Sequence, residues 1–376
     1  MQSTHLREHN LSAILTSLAS ASTSEAAPLS RAGLAKLTRL TKPTVSKLVE
    51  ELIDAELVQE DAPISGGTGR PMVPLQPAAG TLVAIGVEIA ADHVSCLGID
   101  LAGGTLALET KYLQVTSSSA DEAIALAARL VQDVHTQACA AAEVELPIVG
   151  VVAAIPGRIT PGDGRVLSAP NLDWSHVPFI NQFDEQLTER LGAHTWPVRA
   201  QNDNRLSVLT EIDARPGESF VYVRGSTGVG GAVVLDGLLL DGVHGWAGEF
   251  GHMVVEADGA PCRCGRRGCL EAYISYYSLL ERTGLGTDVR IEDLVEELSR
   301  SSDRAEVIGT IGRSLGLAVA NALNVLDMST VVLSGYLAPI AEEIGPVVQK
   351  TVDAHALAAD VGPVPVSYTH LRAHET

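Results

Sequence analysis

The chain has 376 residues, of which 46% are hydrophobic, and it carries 26 Lys or Arg against 46 Asp or Glu. That length favours two or three domains, and the formal net charge of −20 excludes a protein that coats nucleic acid with its whole surface, because phosphates would repel it. No stretch reaches the ~18 to 20 uninterrupted apolar residues of a membrane helix. Since the start of the chain also lacks an apolar signal core, we expect a cytoplasmic protein without a membrane partner.

Residues 6–61 contain three stretches with the apolar spacing of short helices. The repeating residues are Leu11, Ile14, Leu15 and Leu18, then Leu34, Leu37 and Leu40, then Val45, Leu48, Val49, Leu52 and Ile53. Extended stretches follow at 57–59 and 72–75, and the sequence SGGTGRP between them, at 65–71, is typical of a hairpin with a glycine-rich tip. This order predicts a winged helix-turn-helix domain over residues 1–78.

A basic segment lies within this predicted domain, since residues 26–49 include five Lys or Arg and no Asp or Glu. A recognition helix over 41–55 would place its first exposed side chains against base edges and phosphates in the major groove of operator DNA. The predicted DNA contacts are Arg39, Lys42, Thr44, Ser46 and Lys47, with Arg70 at the tip of the wing. The alternative is a packing module with a solvated basic face, which the order of helices and wing disfavours. Arg39 departs from the pattern, because many such turns carry glycine.

After residue 78 the pattern changes to that of an α/β domain. Apolar runs at 82–89, 93–101 and 105–115 predict a three-stranded meander, and a helix towards residue 142 and a strand at 148–154 follow. A helix at 305–326, a strand at 330–333 and a helix at 338–355 complete the pattern, so we expect this domain to cover residues 79–366. The polar residues 367–376 continue neither periodicity, and we expect a foreign or non-native tail there, with a frayed native terminus as the alternative.

Three of the five cysteines, Cys262, Cys264 and Cys269, crowd into one glycine-rich segment, and His252 precedes them. In a cytosolic chain such crowding indicates metal binding rather than a disulfide. One imidazole and three thiolates are the number of ligands that closes a tetrahedral structural Zn²⁺ site. A site closed in this way has no open position for catalysis.

The stretches GEFGH at 248–252 and CRCGRRGCLE at 262–271 resemble two signatures of the ROK family, which comprises repressors, open reading frames and sugar kinases. The wing at 66–71 similarly resembles that of ROK repressors, in particular the xylose-repressor branch. The resemblance implies a two-lobed, actin-like (RNase-H-like) α/β domain with a sugar in the cleft between the lobes. By the same resemblance, the sugar-binding residues are Asn171, Asn202, Asp203, Glu249, His252 and Glu271. Their chemistry agrees, since a polyol needs several convergent donors and acceptors.

The resemblance is weaker where ROK kinases hold ATP. Their first strand ends in D-x-G-G-T, whereas this chain has Glu88, Ala90, Ala91 and Asp92 in that stretch, which removes both glycines and places a carboxylate where phosphate would lie. A second glycine-rich loop is better preserved, and its predicted vestigial phosphate contacts are Thr227, Gly228, Gly230 and Gly231. Asp203 matches the general base of the kinases. Without a phosphoryl donor that base is vestigial, so we expect no catalytic residue and no kinase activity.

Together these features predict a homodimeric, sugar-responsive transcriptional regulator with structural Zn²⁺. It would bind a pseudopalindromic operator and repress a carbohydrate operon such as one for xylose metabolism. One alternative is an active ROK sugar kinase carrying a DNA-binding head, which the substitutions at residues 90–92 disfavour. The other is a sugar sensor whose N-terminal module contacts protein.

Overall fold

The structure is a computed structural model that describes residues 2–22, 28–64, 71–115, 120–286, 289–291, 293–328 and 330–357. Arg70 and the tail at 367–376 lie outside these residues. The helices are α1 Gln2–Ser22, α2 Arg31–Thr38, α3 Lys42–Asp54, α4 Ala120–Ala142, α5 Phe179–Leu191, α6 Asp203–Ala214, α7 Glu271–Ile274, α8 Tyr276–Thr283, α9 Leu294–Arg300, α10 Arg304–Leu326 and α11 Ala341–His355. The strands are β1 Val58–Glu60, β2 Leu75–Pro77, β3 Val83–Ile89, β4 His93–Ile99, β5 Thr105–Tyr112, β6 Ile148–Ile155, β7 Arg158–Ile159, β8 Val166–Ala169, β9 Trp174–Val177, β10 Val198–Asn202, β11 Phe220–Gly225, β12 Val229–Leu235, β13 Leu238–Leu239 and β14 Val331–Gly335.

The first three helices and the antiparallel pair β1–β2 form a unit with its own hydrophobic core. Ile14, Leu34 and Val49 are fully buried in it. The three predicted helices are therefore present, and an antiparallel strand pair is present as predicted, although its second strand is Leu75–Pro77 and overlaps the predicted stretch 72–75 only at Leu75. One apolar position differs from the expectation, because Leu37 is 62% exposed and α2 buries only Leu34.

The first lobe of the larger unit is a five-stranded sheet in the order β10-β6-β3-β4-β5. β3, β4 and β5 are antiparallel neighbours and confirm the predicted meander, while β6 runs parallel to both β3 and β10. Helices α4 and α5 pack with this sheet in one core. The carboxyl ends of the parallel strands meet at one edge, where β10 passes directly into α6, and ligands commonly bind at such an edge in α/β proteins.

The second lobe is a four-stranded sheet in the order β13-β12-β11-β14, with β14 parallel to β11. Helices α7 to α11 pack with it in the largest core among the described residues. The predicted strand at 330–333 is β14. The last helix begins at Ala341, three residues later than predicted, because residues 336–340 form a turn in which the hydroxyl of buried Tyr336 donates to the carbonyl of Ile274.

A short connector joins the N-terminal unit to the first lobe between β2 and β3. Gly80 in this connector has a φ of 66°, a conformation that glycine adopts without strain. The buried carboxylate of Asp100, at the end of β4, accepts hydrogen bonds from the backbone N–H of Gly80 at 3.0 Å and of Gly104 at 2.7 Å. The connector is thus bonded to the turn between β4 and β5. Across the described ranges, no helix has the length and apolar character needed to cross a membrane.

Candidate functional site

A cavity of about 1030 Å³ lies between the two lobes. Its volume is at the upper end of the range common for small-molecule pockets. The first lobe contributes the turn between β3 and β4, and the second contributes the loop between β11 and β12. All six residues predicted to bind sugar line it: Asn171, Asn202, Asp203, Glu249, His252 and Glu271.

Asn202 and Asp203 lie where β10 ends and α6 begins. The Oδ1 atom of Asn202 accepts from the backbone N–H groups of Asn204 and Arg205, at 3.0 and 3.2 Å, and its Nδ2 donates to the carbonyl of Gly157 at 3.0 Å. Asn202 therefore caps α6 and fixes the chain after β6. Most of its hydrogen-bonding capacity is already used within the protein.

The carboxylate of Asp203 is buried and bonded on both oxygens. Oδ1 accepts from Asn204 Nδ2 at 2.9 Å, and Oδ2 accepts from Arg224 Nη1 at 3.2 Å. Burial raises the pKa of Asp203 above its ordinary value; Arg224 opposes this shift and Glu88 adds to it. Sequence reasoning did not find Arg224 or Asn204. The available signal for Arg224 was a lone cation at the end of the otherwise apolar β11, next to a glycine-rich loop.

The first-lobe turn, residues 88–93, is closed on itself. The backbone N–H of Ala90 donates to the carbonyl of His93 at 2.9 Å, and the methyl group of Ala91 is buried in the first-lobe core. Nδ1 of His93 lies 2.8 Å from a carboxylate oxygen of Asp92. Burial acts to lower the pKa of His93, but hydrogen bonds with Asp92 and Glu88 outweigh it and raise that pKa to about 10. The predicted loss of the phosphate-binding conformation stays a prediction, and this geometry supports it.

The second-lobe loop, residues 225–231, packs directly against the predicted sugar residues. The backbone N–H of Val229 donates to Glu271 Oε2 at 2.9 Å. A Cβ atom at Gly228 would collide with Glu271, and one at Gly230 would collide with Asn204. These glycines therefore have a packing reason that does not involve phosphate.

Glu249 and His252 follow each other across a short 3-10 turn. Burial raises the pKa of Glu249, and His252 and Arg158 oppose that shift. Nδ1 is the nitrogen of His252 that lies 3.9 Å from Cys262 Sγ, which leaves Nε2 for a ligand in the cavity.

His252, Cys262, Cys264 and Cys269 form a group that could bind a metal ion, since their donor atoms all lie within 4.8 Å of one another. Cys264 Sγ and Cys269 Sγ are 3.8 Å apart, which is the separation of about 3.8 Å that a tetrahedral site with zinc–sulfur bonds near 2.3 Å requires. The residues present therefore fit a closed four-ligand site. Glu271 Oε1 is 3.7 Å from Cys262 Sγ, so the metal group adjoins the cavity.

A second group, formed by His135 and Cys139 on α4 and Glu145 just after it, also brings three donor atoms together. A ring nitrogen of His135 is already 2.8 Å from the carbonyl of Leu146, and the thiol of Cys139 accepts from the N–H of the same residue at 3.3 Å. These contacts account for the cluster without a metal ion.

The N-terminal unit presents the predicted DNA contacts to different degrees. Lys42 and Lys47 are exposed and make no ion pair with any residue of the described ranges. Thr44 and Ser46 are half-buried, and the hydroxyl of Thr44 lies 2.8 Å from that of Thr41. Arg39 is exposed and has a φ of 58°, so it adopts the left-handed conformation expected of the missing glycine.

Comparison with known proteins places this geometry in a family. A model of the ROK family matches residues 84–372. The xylose repressor of Bacillus subtilis (strain 168) is 28% identical over 320 residues, which cover 81% of this chain and 78% of the relative. A ROK family transcriptional regulator, a homolog of the E. coli MLC protein, has a TM-score of 0.77 at 21% identity and covers 99% of this chain and 94% of its own.

A ROK family glucokinase from Streptomyces griseus, solved with glucose and AMPPNP, has a TM-score of 0.60 at 22% identity, and the match covers 78% of this chain and 96% of that one. The two structural likenesses confirm the predicted two-lobed sugar-kinase fold. The family match spans most of the chain, from the first strand of the first lobe onwards. The chain belongs to the ROK family.

Proposed function

We propose that this chain is a sugar-responsive, DNA-binding transcriptional regulator that represses a carbohydrate-utilisation operon. One observation carries the proposal: six predicted sugar-binding residues line one interlobe cavity in a chain that also has a separately packed N-terminal unit with an exposed basic helix start. The relative from Bacillus subtilis is named a xylose repressor, so we propose an aldose such as xylose as the effector.

The sugar would bind through residues that converge from both lobes. The carboxylates of Asp203, Glu249 and Glu271 would accept hydrogen bonds from sugar hydroxyl groups, while Asn171 and Nε2 of His252 offer further polar contacts. Asn202 would contribute mainly by holding α6 in place, because its amide is already bonded to backbone groups. Closure of the lobes on the sugar would shift the connector at Gly80 and so change the fit of the N-terminal unit to DNA.

Residues 1–78 would act as a winged helix-turn-helix domain, with α3 as the recognition helix in the major groove and residues 79–366 as the effector domain. A homodimer would place two copies on a pseudopalindromic operator, with half-sites one or more helical turns apart. The exposed side chains of Lys42 and Lys47 support this proposal, because they are free to meet phosphates.

A gel-shift titration of the purified chain against its own upstream region tests the proposal. We expect specific binding that D-xylose, D-glucose or N-acetylglucosamine weakens by about 5- to 150-fold, the usual range of allosteric coupling. Lys42→Ala and Lys47→Ala should each reduce the salt dependence of binding by about one counterion. Lys350→Ala, at an exposed position of α11, is the matched control and should leave binding unchanged. Operator affinity that is indifferent to all three sugars would contradict the proposal.

We also propose that His252, Cys262, Cys264 and Cys269 hold a structural Zn²⁺. When bound, the ion would supply only a fixed anchor, since a closed ligand set leaves no position for a reacting group. The chain's own residues then do the positioning: Glu271 lies two residues after Cys269 and bonds the second-lobe loop through Val229, so the metal group would orient a sugar-binding carboxylate.

Kinase activity is not part of the proposal. The closed first-lobe turn offers no glycine at residues 90 and 91 for close approach of a phosphate. In addition, Arg224 already donates a hydrogen bond to the carboxylate of Asp203. Sugar-dependent ATP consumption by the purified chain, abolished by Asp203→Asn, would instead support the active kinase with a DNA-binding head.

A further inference from the structure

Five charged side chains of alternating sign cross the cleft from one lobe to the other. Asp203 Oδ2 is 3.2 Å from Arg224 Nη1, and Arg224 Nη2 is 3.8 Å from Glu88 Oε1. Glu88 Oε2 is in turn 3.7 Å from His93 Nε2, whose other nitrogen bonds Asp92 at 2.8 Å. The chain of charges therefore begins at the sugar-site carboxylate and ends in the first-lobe turn.

Arg224 is the only cation in direct contact with Asp203 among the described residues. Burial and the nearby charge of Glu88 both disfavour the ionised form of Asp203, and Arg224 acts against them. The other titratable groups that interact with Asp203 are Tyr222 on β11 and Glu249 in the loop before the 3-10 turn. Each of these side chains is either neutral or negatively charged, so neither can replace the positive charge of the guanidinium.

We propose that Arg224 is a positioning residue of the sugar cleft, which orients the carboxylate of Asp203 and opposes its protonation, so that it can accept a hydrogen bond from a sugar hydroxyl. The proposal rests on the proposed function of the cleft. Through its contact with Glu88, the guanidinium also links the second lobe to the first.

The charge on Asp203 can be followed directly in the full-length, ligand-free chain. Carboxyl ¹³C shifts of Asp-labelled protein are titrated, and the signal of Asp203 is assigned by its loss in Asp203→Asn. We expect Arg224→Gln to raise the pKa of Asp203 by about one unit or more, the usual effect of removing an adjacent opposite charge. Arg224→Lys should restore part of the shift, because it keeps the charge and loses the planar fork.

Two further variants separate the charge from a loss of fold. Glu88→Gln removes the repelling carboxylate, so the pKa of Asp203 should not rise and is expected to fall. Arg199→Gln makes the same change as Arg224→Gln on β10, at an exposed position that does not line the cavity, and should leave the titration unchanged. If Arg224→Gln does not fold, Arg224→Lys and Glu88→Gln decide the question.

Sugar affinity should follow the same titration. A carboxylate accepts the sugar hydroxyl, and protonation removes that acceptor, so binding is lost as pH falls through the pKa of Asp203. Raising that pKa in Arg224→Gln should therefore move the loss of D-xylose, D-glucose or N-acetylglucosamine binding to higher pH. A titration of Asp203 that is the same in Arg224→Gln and wild type overturns the proposal. Wild-type protein that binds none of the three sugars contradicts the proposed function instead, and the ligand-free titration still tests Arg224.

Discussion

The first-lobe turn and the second-lobe loop face each other across one cavity, yet only the second contains glycine. In the second-lobe loop a side chain at Gly228 would collide with Glu271 and Asn171, so it would displace two of the residues predicted to bind sugar. In the first-lobe turn the methyl group of Ala91 packs into the core instead. The difference teaches that packing against predicted sugar residues favours glycine in the second-lobe loop, whereas the first-lobe turn accommodates alanine.

The strongest way to break this contrast is to remove the metal group beneath the second-lobe loop. Cys264→Ala deletes one of the four proposed ligands, and we expect loss of bound zinc and a fall in the free energy of unfolding of more than about 4 kcal/mol, a large effect of the kind that loss of a metal can produce. Zinc content and thermal unfolding measure this. Cys139→Ala, the control, should retain one zinc per chain; zinc retained in Cys264→Ala would refute the ligand set.

Gly228→Ala tests the loop itself. The added methyl group must displace the carboxylate of Glu271, so we expect a loss of about 1 to 3 kcal/mol of stability and at least about a tenfold loss of sugar affinity, or 1.4 kcal/mol. Thermal unfolding and calorimetric sugar titration provide the two readouts. The matched control is Gly86→Ala on β3, where a Cβ meets nothing within 4 Å, and equal sugar affinity in both variants would remove the contrast.

Introducing glycine into the first-lobe turn should have a smaller effect. The double variant Ala90→Gly and Ala91→Gly is expected to lower stability by about 0.5 to 1 kcal/mol per residue through backbone entropy. It should leave sugar affinity near wild type and create no ATP consumption, because Arg224 still bonds Asp203. Sugar-dependent release of ADP from this variant would show that the alanines of the first-lobe turn alone prevent kinase activity.

The smallest expected effect is at Arg39, where the backbone adopts a conformation that favours glycine. Arg39 is held in the left-handed conformation at a cost that glycine would not have, so Arg39→Gly should stabilise the chain by about 1 kcal/mol or less. Arg39→Ala loses the same charge but keeps the strain. Chemical denaturation of the two variants isolates the backbone contribution, and an equal stability of both would show that Arg39 carries no strain. Their common loss of operator affinity would report the predicted phosphate contact.

Much of the cleft could be predicted from the sequence, because contiguous motifs carry it. Glu249, His252 and Glu271 are found from two signatures, and the structure places all three in one cavity. Arg224 belongs to no motif, since its importance depends on Glu88 and Asp203, which lie far from it in sequence. Leu37 shows the same limit in the N-terminal unit, where helical spacing alone did not reveal which face of the short α2 meets the core.

The Gly80–Asp100 bond gives the chain the geometry of a lever. β3 and β4 are each seven residues long, about 23 Å at 3.3 Å per residue, and they run from the cleft to this joint. A movement of about 1 Å at the cleft end of such a rigid hairpin corresponds to a tilt of about 2.5° at the joint. Gly80 would then be the point about which the N-terminal unit turns relative to the first lobe. The size of the resulting movement at the DNA would depend on the distances from Gly80 to the cleft and to the DNA-contacting residues. These distances can change without altering any contact to sugar or DNA.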